Sequence, residues 1–150
     1  MKKIVYTILL LLTVASFSRV QGQGKFGLGI IVGEPTGLSA KLFLSKSSAL
    51  DAALGWSFAK YGAVHIHADY LLHFYAISPE VPLYAGIGGR LKLQSGSNDL
   101  RFGARIPLGI AYTPSSTPID LFLEIVPLLD FVPASEFNLN GAIGGRYYFH

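Results

Sequence analysis

The sequence predicts an all-β fold: an eight-stranded antiparallel up-and-down transmembrane β-barrel after a cleaved signal peptide. Three observations carry that expectation. Eight apolar runs follow one another at near-even spacing, separated by clusters of Gly, Pro, Ser and Asp. Within the runs, large apolar residues alternate with polar or small ones at period two, the pattern of a strand with two unlike faces. The chain is 51% hydrophobic and 14% charged, yet its one helix-like apolar stretch lies at the N-terminus and is too short to span a membrane.

That N-terminal stretch reads as an export signal. Lys2 and Lys3 form a positive start, Ile4 to Val14 is continuously apolar apart from Tyr6 and two threonines, and Val20-Gln21-Gly22 precedes a cut that leaves Gln23 first. The apolar segment is about half of the ~20 residues a spanning helix needs. Residues 1–22 are therefore expected to be a signal peptide and 23–150 a single barrel domain. The segment also explains the charge. Of 12 basic residues, Lys2, Lys3 and Arg19 lie in it, so nine bases face nine acids in the remainder. A neutral mature chain with no basic cluster gives no basis for a nucleic-acid partner. With no cysteine, disulfide and thiol chemistry are excluded.

Lys25–Val32 puts Phe26, Leu28, Ile30 and Val32 on one face and Gly27 and Gly29 on the other, and ends at Gly33-Glu34-Pro35. Leu38–Leu44 opposes Ser39, Lys41 and Phe43 to leucines and Ala40, and ends in a serine-rich turn. Ala49–Phe58 opposes Asp51, Ala53 and Gly55 to Leu50, Leu54 and Trp56. Ala63–Ile77 carries His65, His67, Asp69, Leu71 and His73 on one face. Pro82–Leu93 carries Tyr84, Gly86, Gly88, Arg90 and Lys92. Arg101–Tyr112 carries Arg101, Gly103, Arg105, Pro107 and Gly109. Ile119–Leu129 carries Asp120, Phe122 and Glu124, and Phe137–Phe149 carries Asn138, Asn140, Gly144, Arg146 and Tyr148. Pro107 and Pro127 cannot donate a ladder bond and predict local interruptions.

Nearly every charge within a strand thus falls on one face, and that face is also rich in small residues. A soluble exterior would carry more Lys, Glu and Thr, whereas a narrow eight-stranded lumen has room for little else. The predicted lumen network comprises the acids Asp51, Asp69, Asp120 and Glu124, the histidines His65, His67 and His73, and the bases Lys41, Arg90, Lys92, Arg101, Arg105 and Arg146. Both signs are present, as a buried set requires. Trp56, Phe58, Tyr61, Tyr75, Tyr112, Tyr147 and Phe149 fall near strand ends, where the two membrane interfaces place aromatic girdles.

The signal peptide, the eight alternating strands and the terminal Arg146-Tyr147-Tyr148-Phe149 resemble the small outer-membrane barrels of the OmpA/OmpX type. The resemblance implies an outer-membrane location in a Gram-negative envelope, lipid as the surrounding partner, a monomer, and recognition of the last strand, through Phe149 with Tyr147 and Ile143 in step, by the barrel-assembly machinery. The connections expected outside, around Glu34, Tyr61, Ser95 to Asp99 and Pro133 to Glu136, are short. The function implied is a structural or unassigned membrane role with a filled polar lumen. Two other classes fit the pattern: a narrow, porin-like pore for ions or small solutes, and a soluble exported lipocalin-like carrier with its apolar face turned inward.

No catalytic, cofactor or metal site is expected. His65, His67 and Asp69 stand at alternate positions and have the right ligand types for a metal, but no second cluster with ligand spacing supports one. Ser57, His65 and Asp69 are the residue types of a hydrolytic triad, without a nucleophile elbow. Gly86-Ile87-Gly88-Gly89-Arg90 and Gly141 to Arg146 resemble each other, but a phosphate-cradling loop needs a helix after the strand. Glycines that relieve crowding inside a tightly curved sheet explain them better.

Overall fold

The computed structural model describes residues 26–57, 62–94, 100–132 and 134–149. The expected signal peptide, Phe58, Tyr61 and the side chain of Ser57 lie outside the described residues. The fold is all-β. Its nine strands are β1 (Phe26–Gly33), β2 (Thr36–Phe43), β3 (Ser48–Ser57), β4 (Ala63–Ser78), β5 (Val81–Gln94), β6 (Leu100–Arg105), β7 (Leu108–Tyr112), β8 (Ile119–Val132) and β9 (Glu136–Phe149). Every pairing is antiparallel, and β1 pairs with β9, so the sheet closes into a ring. No described strand is left with a long open edge, the arrangement that best avoids edge-to-edge association.

The expected count of eight is corrected to nine. The sixth run is broken at Ile106-Pro107, and its halves, β6 and β7, share one place in the ring between β5 and β8. Two bonds bridge the break: Gly86 N–H donates to Pro107 O at 3.0 Å and Ile106 N–H donates to Pro127 O at 3.0 Å. The Pro127 carbonyl therefore faces the break. The N–H that Pro127 lacks is missing where the ladder is already open, so the proline is tolerated inside β8 opposite Leu139. For the same reason β8 continues to Val132 instead of ending at Leu129.

The two faces are sharply unlike. Lys41, Asp51, Asp69, Arg90, Arg105, Asp120, Glu124, Asp130 and Arg146 are all buried, whereas Leu, Ile, Val and aromatic side chains cover the outside; Arg105 is 1% exposed and Ile87 65%. A small apolar cluster of Ile31, Leu71, Tyr84 and Phe122 with three alanines shares the interior. Its aromatic rings are fitted against glycines directly across the ladder. Tyr148 opposes Gly27, Tyr84 opposes Gly109 and Phe122 opposes Gly144. A Cβ on Gly27 would lie 2.8 Å from Tyr148 Cε1, one on Gly109 2.7 Å from Tyr84 Cε1, and one on Gly144 2.6 Å from Phe122 Cε1. These glycines give each inward ring the space to lie over its neighbour strand.

Candidate functional site

The interior charges and the two mouths of the ring are the candidate site. One end carries the β1–β2, β3–β4, β5–β6 and β8–β9 connections. The other carries the β2–β3, β4–β5 and β7–β8 connections together with Phe26 and Phe149. Alternation turns the charged residues inward, and the register then decides which of them meet.

Two arginines organise the centre. Arg146 on β9 reaches Asp51 on β3 with Nη2 at 2.5 Å, Asp120 on β8 with Nη1 at 3.4 Å, and Ser39 Oγ on β2 with Nε at 2.9 Å. Its guanidinium also stacks on Phe122, 4.0 Å from the ring centroid. Arg105 on β6 pairs with Asp69 on β4 at 3.0 Å and with Glu124 on β8 at 3.5 Å. Tyr84 O–H donates to Glu124 at 2.8 Å and Tyr148 O–H to Asp120 at 2.5 Å. A third arginine, Arg90, forms a two-point contact with Asp130, Nε at 3.0 Å and Nη2 at 2.5 Å. Arg146–Asp120, Tyr148–Asp120 and Arg105–Glu124 link neighbouring strands, whereas Arg146–Asp51, Arg146–Ser39, Arg105–Asp69, Arg90–Asp130 and Tyr84–Glu124 skip at least one strand and tie the ring across its interior. Charge-assisted and bidentate contacts are the strong class of hydrogen bond.

His67 Nε2 lies 3.8 Å from both Asp51 and Asp69, and one ligand atom from each of the three residues falls within 4.8 Å of the others. Each carboxylate already engages an arginine. His65 is fully buried beside His67, ring to ring at 5.5 Å.

Toward the end with the termini, Lys41 donates from Nζ to His73 Nε2 at 2.8 Å. An ammonium only donates, so this nitrogen of the neutral imidazole accepts and the ring proton sits on Nδ1. Lys41 Nζ also lies 4.9 Å from the Phe43 centroid and 5.1 Å from that of Tyr84. Beyond this pair opens a cavity of about 950 Å³. Its rim is built from hydrogen bonds. Glu80 accepts from Ser115 N–H at 3.0 Å and Ser115 O–H at 2.7 Å, Tyr75 O–H donates to Lys46 O at 2.7 Å, and Thr113 N–H donates to Glu80 O at 2.7 Å. The two Ser115 donors favour the Glu80 carboxylate and hold it below its ordinary range.

Not all of the expected network is buried. Lys92 and Arg101 face inward by parity but stand near strand ends at the opposite mouth, where Lys92 pairs with Glu34 at 3.6 Å and Arg101 with Glu136 at 3.5 Å. Four contributors lie outside the expected charge network: Ser39, Tyr84 and Tyr148, whose alternation already puts them on the charged face, and Asp130, which falls beyond the expected end of the seventh run. Ser39 is in step with Lys41, and Asp130 is in step with Asp120 once β8 is carried through Pro127. Trp56, Tyr112, Tyr147 and Phe149 point outward and are about half exposed, whereas Tyr75, in step with the inward His73, lines the cavity mouth with its O–H on Lys46 O. Phe102, Phe131 and Phe137 join Trp56 at its end of the ring, and Phe26 joins Phe149. No family model, curated protein or solved structure matches the chain.

Proposed function

We propose that this protein is a small outer-membrane β-barrel of the OmpA/OmpX type, exported by a signal peptide in residues 1–22. On this reading it is a monomer with a filled polar lumen and a structural, non-catalytic role in the membrane. One observation carries the reading: charges are buried while leucine, isoleucine and aromatic side chains cover the outside. Exposing that much apolar surface to water opposes the hydrophobic effect on every strand; lipid removes the conflict. Longer strands such as β5, β8 and β9, at 14 residues each, exceed the about 9–11 residues a tilted spanning strand needs. Aromatic residues at both ends fit two interfaces. The arginine–carboxylate bonds that cross the interior favour a plugged lumen over an open pore. Phe149, outward on the last strand, is the contact expected for the barrel-assembly machinery.

The test is folding of the chain from Gln23 onward in detergent micelles and in plain buffer. Sheet dichroism and a band whose gel mobility shifts on boiling are expected only with detergent. A stable soluble monomer in plain buffer overturns the reading. Once folded in a planar bilayer, the protein should show no large, stable single-channel conductance; finding one would replace the plugged lumen with a pore.

A further inference from the structure

We infer that the cavity at the end carrying the chain termini binds a small amphipathic monoanion, with its acid group on Lys41 and its apolar part toward the mouth. A medium-chain carboxylate is the simplest such molecule. The buried cations are not alike. Arg90, Arg105 and Arg146 each have a carboxylate oxygen within 3.5 Å. Lys41 is as deeply buried, 2% exposed, but its Nζ meets a neutral imidazole and two aromatic rings, with no ion pair among the described residues. One of its three N–H donors goes to His73, which leaves two. Asp120, Asp51 and Glu124 attract Lys41 only from beyond contact distance, which offsets the cost of burying the charge less than a direct pair would, and Lys41 borders the cavity.

The cavity has the form of a ligand site. Its volume of about 950 Å³ lies within the range of small-molecule pockets. Phe43, Ala111, Ile119 and Tyr148 give it largely apolar walls around the Lys41–His73 pair. Glu80, the single acid in the lining, has an oxygen committed to Ser115, while Lys46 adds a positive charge at the rim. The cavity therefore combines one deep cation, apolar walls and a rim fixed by hydrogen bonds, which together select an anion with a short apolar body. Its opening lies at an end of the ring and not through the wall, so the inference stands apart from whether lipid surrounds the strands.

The test is titration of the purified protein, in nanodiscs of zwitterionic phospholipid, with octanoate and with octanamide, followed by amide NMR. Octanoate should give saturable shifts centred on Lys41, Ala111 and Tyr148. Octanamide, which has the same chain without the charge, should bind at least about tenfold more weakly, the loss expected for a charge-assisted contact. Lys41→Met should abolish the preference. Ser116→Trp narrows the mouth without touching the interior charges, and should weaken octanoate while the fold is kept; it decides the matter if Lys41→Met does not fold. Equal responses to both compounds, shifts spread over outward residues such as Ile87, or octanoate binding unchanged in Ser116→Trp would overturn the inference. If the protein folds without lipid, the same titration runs in buffer with the same criteria.

Discussion

Asp51 and Asp69 stand directly opposite each other across β3 and β4, both buried, and are held by two different arginines from two other strands. Like charges at paired positions of a ladder repel. Here Arg146 draws Asp51 one way, Arg105 draws Asp69 another, and His67 stands 3.8 Å from each. Removing one arginine leaves a buried carboxylate without its partner. Arg146→Met should therefore cost about 3–5 kcal/mol in equilibrium unfolding. Adding Asp51→Asn should recover part of that loss, because it removes one stranded charge. A single-variant cost below about 1 kcal/mol would mean that water or His67 takes over the arginine's role.

The fitted rings give a second expectation. Gly109→Ala puts a Cβ into the Tyr84 ring and forces it off Glu124. A loss of about 1–3 kcal/mol is expected from such overpacking. Gly141→Ala is the control, since its Cβ would meet nothing nearer than Glu124 O at 3.8 Å. Chemical denaturation of the two variants side by side reads the difference, and equal stabilities would show that Tyr84 has room to move.

The Glu80 latch should depend on pH. Its carboxyl is held below the ordinary value of 4.5 by the two Ser115 hydrogen bonds. A depressed folded value means that the contribution is fully present above the unfolded value, including at neutral pH, and is lost as pH falls through the folded one. Hydrogen exchange at the Ser115 amide, corrected for intrinsic pH dependence, should be slow at neutral pH and lose protection on acidification. Glu80→Gln should weaken that protection at neutral pH and flatten its pH dependence. A pH-independent Ser115 amide in the parent protein would remove the latch.

Arginine on the outer face separates lipid from water. Leu123 on β8 points outward, 56% exposed, beside Ile143 on β9. On the proposed reading Leu123→Arg should cost about 2–4 kcal/mol when unfolding is measured in bilayers, and the same change at Phe149 near the end less than about 1 kcal/mol. If both changes are equally harmless, the apolar surface does not face lipid.

Much of this organisation was legible from alternation alone. Parity placed Arg105, Arg146, Asp51 and Asp69 on one face correctly, because a period of two leaves no freedom once a strand is recognised. What parity does not carry is register and depth. Lys41 and Asp51 are cross-strand partners in the ladder, yet Asp51 bonds Arg146 from beyond two intervening strands and Lys41 turns to His73. Those contacts cross the ring and depend on its curvature, which no local pattern encodes. Lys92 and Arg101 share a face with the buried bases, but their nearness to a strand end puts them at a mouth. The break at Pro107 was foreseeable as an interruption. That Pro127 would be absorbed into β8 was not, because its missing donor matters only relative to the neighbouring strand.

Arg146 lies on the last strand, and its partners Ser39 and Asp51 precede it in the chain by 107 and 95 residues. In order of synthesis, the carboxylates are made long before the cation that neutralises them. The same strand also seals the ring against β1. Closing the sheet and balancing its interior are therefore one event in time, reached only after the C-terminal residues arrive. Until then Asp51 and Asp120 must stay hydrated, so a partly assembled sheet cannot expel its internal water early. Contacts of such long sequence separation make folding slow.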